Sequence, residues 1–107
     1  MNTNKYAGVK LLLGAYLHQD FLDEFATAME AVESFARTEP VDVVRAAVKD
    51  IDLLLTDEQF LHSPDEFLSE LGSCYVPGSD GMTAIEWLRR VRSTLQNTAF
   101  SRSPRAN

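Results

Sequence analysis

The sequence predicts an all-α fold: a compact single-domain bundle of five to six short helices, with a Gly/Pro-rich loop before the last helix. Three observations predict it. Apolar residues recur at spacings of three and four along most of the chain, which places them on one face of a helix. Four segments open with Ser/Thr-x-x-Glu/Gln, in which a hydroxyl and an acid or amide side chain satisfy amides left free at a helix start. The alternation expected of a sheet extends nowhere beyond a few residues. At 107 residues the chain can build one core but not two.

Residues 1–5 read as a frayed lead-in. Tyr6, Val9, Leu12/Leu13 and Tyr16/Leu17 have helical spacing and predict a first helix from Tyr6 to Leu17. Gly8 and Gly14 weaken it by up to about 1 kcal/mol each relative to alanine. Gly14 is tolerable where another helix approaches closely. The apolar run ends in Tyr16-Leu17-His18-Gln19-Asp20-Phe21, a polar corner that reads as the helix exit. Tyr16, Leu17 and Phe21 are expected to pack inward, and His18 and Gln19 to tie off free carbonyls. Asp20 is expected to cap a turn at Phe21–Glu24, with Asp23 near that turn's positive end.

Thr27, Thr56, Ser63 and Thr83 begin the four capping patterns. Ser63 gains force from Pro64, because proline at the first helical position loses no hydrogen bond. Thr83 gains it from Gly81, which lets the chain turn. Glu39-Pro40 starts another helix by the same proline logic. Between these starts run three core stripes: Ala28, Ala31, Val32 and Phe35; Val41, Val44, Val48, Ile51 and Leu55; and Ala84, Trp87/Leu88, Val91 and Leu95.

The long non-helical stretch is Gly72 to Gly81. Gly72 suits a left-handed cap on the Ser63–Leu71 helix, and Pro77-Gly78 and Asp80-Gly81 are turn pairs. Cys74 and Tyr75 are expected to pin this loop to the core by their side chains. The domain is placed at residues 1–98 and a disordered basic tail at 99–107.

Charge is unevenly placed. The net charge is −6, but all sixteen acids lie between Asp20 and Glu86, where only Arg37, Arg45 and Lys49 oppose them, a net −13. Arg89, Arg90, Arg92, Arg102 and Arg105 follow with no acid among them. Such a field opposes binding to nucleic-acid backbones; it reads either as a normally solvated acidic surface followed by a basic final helix and tail, or as a negative field that steers a basic partner. The single cysteine, Cys74, allows no internal disulfide and fits a reducing compartment, so a cytoplasmic location is expected. The N-terminus lacks the basic head and apolar core of a signal peptide. No apolar run approaches the roughly 20 residues of a membrane span, so no membrane contact is expected.

The sequence bears on three function classes. An enzyme would rest on His18 and Cys74, yet a lone cysteine in an apolar setting is usually core. Metal-ligand spacings such as His-x-x-x-His or Cys-x-x-Cys do not occur, so neither a metal nor a cofactor is expected. Gly78-Ser79-Asp80-Gly81 lacks the lysine of a phosphate loop. A nucleic-acid binder would use Arg89, Arg90 and Arg92 with Trp87, but cations also suit the C-terminal end of a final helix. The third class is a rigid protein-binding module whose charged face meets a basic partner.

Four stretches carry a resemblance. They are Leu13-Gly14-Ala15-Tyr16-Leu17-His18-Gln19-Asp20-Phe21; Phe35 with Thr38-Glu39-Pro40; Leu71-Gly72-Ser73-Cys74-Tyr75; and Asp80-Gly81-Met82-Thr83-Ala84-Ile85-Glu86-Trp87-Leu88. In that order, over about residues 9 to 95, they resemble the small helical immunity proteins of contact-dependent growth inhibition systems of Gram-negative bacteria. The family pattern runs Gly-Gly/Ala-Tyr-Phe/Leu-His-Gln-Asp-Trp/Phe, then Glu-Pro, then a Leu-Gly-Cys-Tyr-Tyr-like loop, then Asp-Gly with Trp-Leu. Phe21 stands where tryptophan is usual, and Ser73 sits between the glycine and cysteine. The arginine-bearing tail has no counterpart.

The resemblance implies a non-enzymatic protein that binds and neutralises the toxic C-terminal domain of a cognate exoprotein, as a monomer forming a 1:1 complex. Many such domains are nucleases, whose basic active sites would give the acidic field a role. The carboxylates of Asp50, Asp52, Asp57, Glu58, Asp65, Glu66 and Glu70 are expected to face the toxin. Gly14, Tyr16, His18, Gln19, Asp20, Gly72, Cys74, Tyr75, Asp80, Gly81 and Trp87 belong to the recurring motifs and are expected to build the scaffold. The alternative is a small helical adaptor or regulator without a toxin partner.

Overall fold

A computed structural model describes residues 6–102, which form seven α-helices and no strand. They are α1 (Ala7–Leu11), α2 (Phe21–Glu24), α3 (Ala28–Thr38), α4 (Val41–Leu54), α5 (Glu58–His62), α6 (Pro64–Glu70) and α7 (Ala84–Arg102). A π-helical turn (Leu12–Tyr16) prolongs α1, and a 3-10 turn (Pro77–Asp80) lies in the loop before α7. The all-α architecture is as predicted. The count exceeds five to six because α2 and α5 are single short turns that the stripes alone do not resolve.

The long α7 is the axis of packing. It lies along both α3 and α4, and α1 docks on the outer side of α4. The three predicted stripes supply much of the core: Ala28, Ala31, Val32 and Phe35; Val44 and Ile51; Trp87, Leu88, Val91 and Leu95 are all buried. The first helix adds Tyr6, Val9, Leu12 and Leu13, and Leu17 follows it. Val48 and Leu55, placed in the α4 stripe, are only partly buried and pack against the core's edge.

Local chemistry starts each helix. At α7 the capping box is reciprocal: the Glu86 amide donates to Thr83 Oγ1 and the Thr83 amide to Glu86 Oε1, each at 3.0 Å. At α3 the Glu30 amide donates to Thr27 Oγ1, while the Glu30 carboxylate reaches one residue further back, to the Ala26 amide. Two expected caps differ. The hydroxyl of Thr56 donates backward to the Leu53 carbonyl, and Asp57 caps α5 by accepting from the Gln59 and Phe60 amides. Asp57 outcompetes because a carboxylate accepts two amides at once. Ser63 stands at the N-cap of α6 without a side-chain bond; Pro64 sets that start instead.

The end of the domain also differs from the expected boundary at residue 98. Helix α7 continues to Arg102, Ala99 is buried, and the Arg102 guanidinium donates to the carbonyls of Ala36 (2.7 Å) and Glu39 (2.6 Å). These bonds hold the last turn, because α3 ends with carbonyls that lack intrahelical partners. The lead-in at 1–5 and the rest of the tail, 103–107, lie outside the described residues.

The polar corner after the first helix works differently from the expectation. Asp20 makes no side-chain cap to α2. His18 Nδ1 accepts from the Asp20 amide at 3.0 Å, and the Leu17 carbonyl is taken by the amide of Cys74 at 3.0 Å. Gln19 is exposed. Cys74 is therefore held by its backbone and its thiol is exposed, whereas Tyr75 is buried. Gly72 (φ +114°) and Gly81 (φ +78°) both occupy the left-handed region that glycine allows. No helix crosses at Gly14; the chain passing near it is Gly72, whose added Cβ would lie 3.5 Å from the Gly14 Cα.

Each of the three tyrosines ends on a carboxylate. Tyr6 donates to Asp57 (2.6 Å), Tyr16 to Glu39 (2.7 Å) and Tyr75 to Asp80 (2.6 Å). Their rings meet Phe67, Phe35 and Phe21 edge to face. Burial, followed by the hydrogen-bonded carboxylate, pushes the Tyr6 and Tyr75 hydroxyls well above the ordinary tyrosine range. Burial also raises Tyr16, with Glu39 adding to it and Thr38 opposing it. A hydroxyl with a raised folded pKa gives stability that is complete below the unfolded value of about 10 and lost as pH rises through the folded value. Denaturant midpoints are therefore expected to fall as pH rises above about 10. Tyr75→Phe should flatten that fall, and an identical alkaline limb in the variant would remove Tyr75 from the effect.

Candidate functional site

The acidic cluster divides once it is folded. Asp50, on the outer face of α4, accepts from the amides of Gly8 (2.8 Å) and Val9 (3.1 Å) and so closes the open start of α1. Its burial raises the carboxyl pKa, and the two amide bonds pull the other way without overcoming it. Asp52 pairs with Arg92, which also reaches Gln96 at 2.7 Å. Asp57 caps α5 and holds Tyr6. These three carboxylates are occupied with the fold, a role that spacing along the chain does not disclose.

The other four are differently placed. Glu58 on α5 and Asp65, Glu66 and Glu70 on α6 are all exposed. Phe60, Phe67 and Leu68 anchor the two helices from beneath, with the Phe60 and Phe67 rings edge to face at 5.8 Å. The sequence holds no lysine or arginine between Lys49 and Arg89, so no cation of this span offsets the four acids. Leu61, 43% exposed, gives the same face an apolar point. The arrangement is a firmly seated acidic surface suited to a basic protein partner.

The other readings of the sequence find little here. His18 Nδ1 accepts from the Asp20 amide, and Nε2 lies 3.7 Å from the Glu24 carboxylate, beyond hydrogen-bond distance. Trp87 is fully buried against Tyr75, so it offers no ring beside Arg89 and Arg90 for a base to stack on. Among the described residues, no three His, Cys, Asp or Glu side chains are grouped to hold a metal ion. No described helix is long and apolar enough to cross a membrane.

Sequence reasoning missed a second feature. Helices α4 and α7 run antiparallel, as the Asp52–Arg92 pair at one end and the Arg102 bonds beside the start of α4 require. Along their shared outer edge lies a groove of about 400 Å³ lined by Arg45, Val48, Lys49, Asp52, Arg92, Gln96, Ala99 and Phe100. The sequence signal is two stripes at spacings of three and four, on α4 and α7, the second running past the boundary expected at residue 98 to Phe100.

Neither a curated protein nor a solved structure matches the chain. Residues 5–95 match the profile of the family described as CdiI immunity protein. That span takes in every element from α1 to the middle of α7, including all four motif stretches. The chain belongs to the CdiI immunity protein family.

Proposed function

We propose that this protein neutralises the toxic C-terminal domain of a cognate contact-dependent growth inhibition exoprotein by binding it, 1:1, in the cytoplasm. The family match over residues 5–95 carries the reading. The exposed carboxylates of Glu58, Asp65, Glu66 and Glu70 support a basic partner and, among toxins, a nuclease, whose active site must hold phosphates. Asp50, Asp52 and Asp57 are not proposed as contacts, because their oxygens are engaged within the fold.

The test has two parts. Co-expression with the cognate toxin domain should restore growth to cells that the toxin alone arrests, and failure to do so would overturn the reading. Charge reversal at Glu58, Asp65, Glu66 and Glu70 together should slow association about tenfold or more at low salt, with the difference shrinking as ionic strength rises. An unchanged on-rate would remove the α5–α6 face from the interface.

A further inference from the structure

Where α2 and the start of α3 meet the loop before α7, the surface opens into a small pocket of about 260 Å³. Phe21, Leu22, Ala28 and Tyr75 give it apolar walls, and Asp80 lines it with them. The Phe21 and Tyr75 rings are buried and meet edge to face at 5.9 Å, which locks the two chain segments together. Next to each ring in the chain stands a large apolar side chain open to solvent: Leu22, 65% exposed, and Val76, 57% exposed. Single exposed residues of this kind need no explanation, but two gathered beside one cavity do.

The charge at the pocket has one sign. Every lining residue falls between Lys10 and Arg37 or between Lys49 and Arg89, two intervals that contain no lysine or arginine. Asp80 accepts from the Tyr75 hydroxyl at 2.6 Å through Oδ2, which fixes the carboxylate. Its Oδ1 makes no hydrogen bond among the described residues. The two hydroxyls of the lining are engaged: Thr27 accepts from the Glu30 amide, and Ser79 donates to the Val76 carbonyl. The Asp80 carboxylate is therefore the charged group that a ligand in the pocket meets. Sites for small molecules hold roughly 300–1,000 Å³, so a pocket of this size suits a single side chain.

We infer that this pocket receives an arginine side chain of the toxin domain, its methylene stem against Leu22 and Ala28 and its guanidinium on Asp80. The inference rests on the immunity reading above and gives the basic partner a specific point of attachment. Charge complementarity selects a cation, and the apolar walls select one with a long hydrocarbon stem. Arginine suits the site better than lysine, because its planar head is less strongly hydrated and lies against apolar and aromatic surface while bonding a carboxylate. An arginine held in this way is also the kind of residue that dominates binding energy at an interface. A second copy of this chain is the poorer occupant, because two molecules of net charge −6 repel each other.

The experiment titrates the purified toxin domain into the full chain by calorimetry. Asp80→Asn removes the charge while its amide oxygen can still accept from Tyr75, and it is expected to weaken Kd about tenfold. That loss should shrink as ionic strength rises. Leu22→Ala, at an exposed position, is expected to weaken Kd about fivefold. Asp42→Asn removes an equal charge from an exposed site at the start of α4, at the other end of α3 from the pocket, and should bind within twofold of the parent. If the parent binds and protects while Asp80→Asn binds within twofold of it, the pocket inference is overturned and the immunity reading stands. The inference also falls if Asp42→Asn loses as much as Asp80→Asn, because the effect then belongs to the overall field. Should Asp80→Asn fail to fold, Leu22→Ala decides, and parent-like affinity there overturns the inference. If the parent itself neither binds nor protects, both readings fall. A concentration-dependent dimer of the parent that Leu22→Ala dissolves would assign the pocket to a second copy and overturn the inference.

Discussion

Replacing Trp87 with alanine is expected to destabilise the domain by about 3–5 kcal/mol, the range for removing a large buried aromatic from a packed core. The side chain is completely buried on α7 and packs against Tyr75, with ring centroids 5.1 Å apart. Tyr75 in turn holds Asp80, so the cavity would undercut the loop between α6 and α7 as well as the helix. In a domain of this size, the loss corresponds to a fall in melting temperature of roughly 15 °C or more. Trp87 Nε1 is buried without a hydrogen-bond partner. Trp87→Phe should therefore cost much less than alanine, because it keeps most of the ring volume and removes a donor whose desolvation is unrewarded. Equal losses for the two variants would show that the indole N–H contributes to stability after all.

Gly8→Ala carries the second large effect. A Cβ at residue 8 would lie 2.8 Å from the Ala47 amide nitrogen, 2.9 Å from Asp50 Oδ2 and 3.0 Å from the Ala46 carbonyl carbon. Two of those atoms are backbone of α4 and cannot swing away. Relief requires α1 to lift, which stretches the bonds from the Gly8 and Val9 amides to Asp50. Overpacking costs about 1–3 kcal/mol and a lost cap about 1, while alanine's helix preference returns up to about 1. The expected net loss is about 1–3 kcal/mol, read as a lower denaturant midpoint. Gly14→Ala is the control, since a Cβ there meets nothing within 4 Å. Its stability should equal or slightly exceed the parent's, and a loss matching that of Gly8→Ala would argue against the close approach of α1 to α4.

That contrast shows what could be read from the sequence. Helix faces and starts were legible where the information is local: the stripes of α3, α4 and α7, the Thr83–Glu86 box and Pro64 all act over three or four residues. Contacts between residues far apart in the chain were not. Nothing near Gly8 announces that α4 will press against it, and nothing near Asp50 announces that it will cap a helix some forty residues upstream. The same limit divided the candidate site. Seven clustered acids look equivalent as a string, yet Asp50, Asp52 and Asp57 bond other groups of the fold, whereas Glu58, Asp65, Glu66 and Glu70 stand exposed. Phe100 was misplaced because the helix end depends on Arg102 reaching the carbonyls of α3, a pairing that spacing does not encode.

The two kinds of carboxylate have a bearing on how this scaffold can change partners. Reversing the sign of Asp50 or Asp57 breaks a bond that joins separate parts of the chain, and reversing Asp80 breaks the bond to Tyr75 that braces the loop before α7. Reversing Glu58, Asp65, Glu66 or Glu70 leaves all of those bonds in place. A descendant sequence could therefore invert the charge of its α5–α6 face one residue at a time without ever passing through an unfolded intermediate. Toxin and immunity protein could then drift together in small reciprocal steps, on a framework whose internal acids stay fixed.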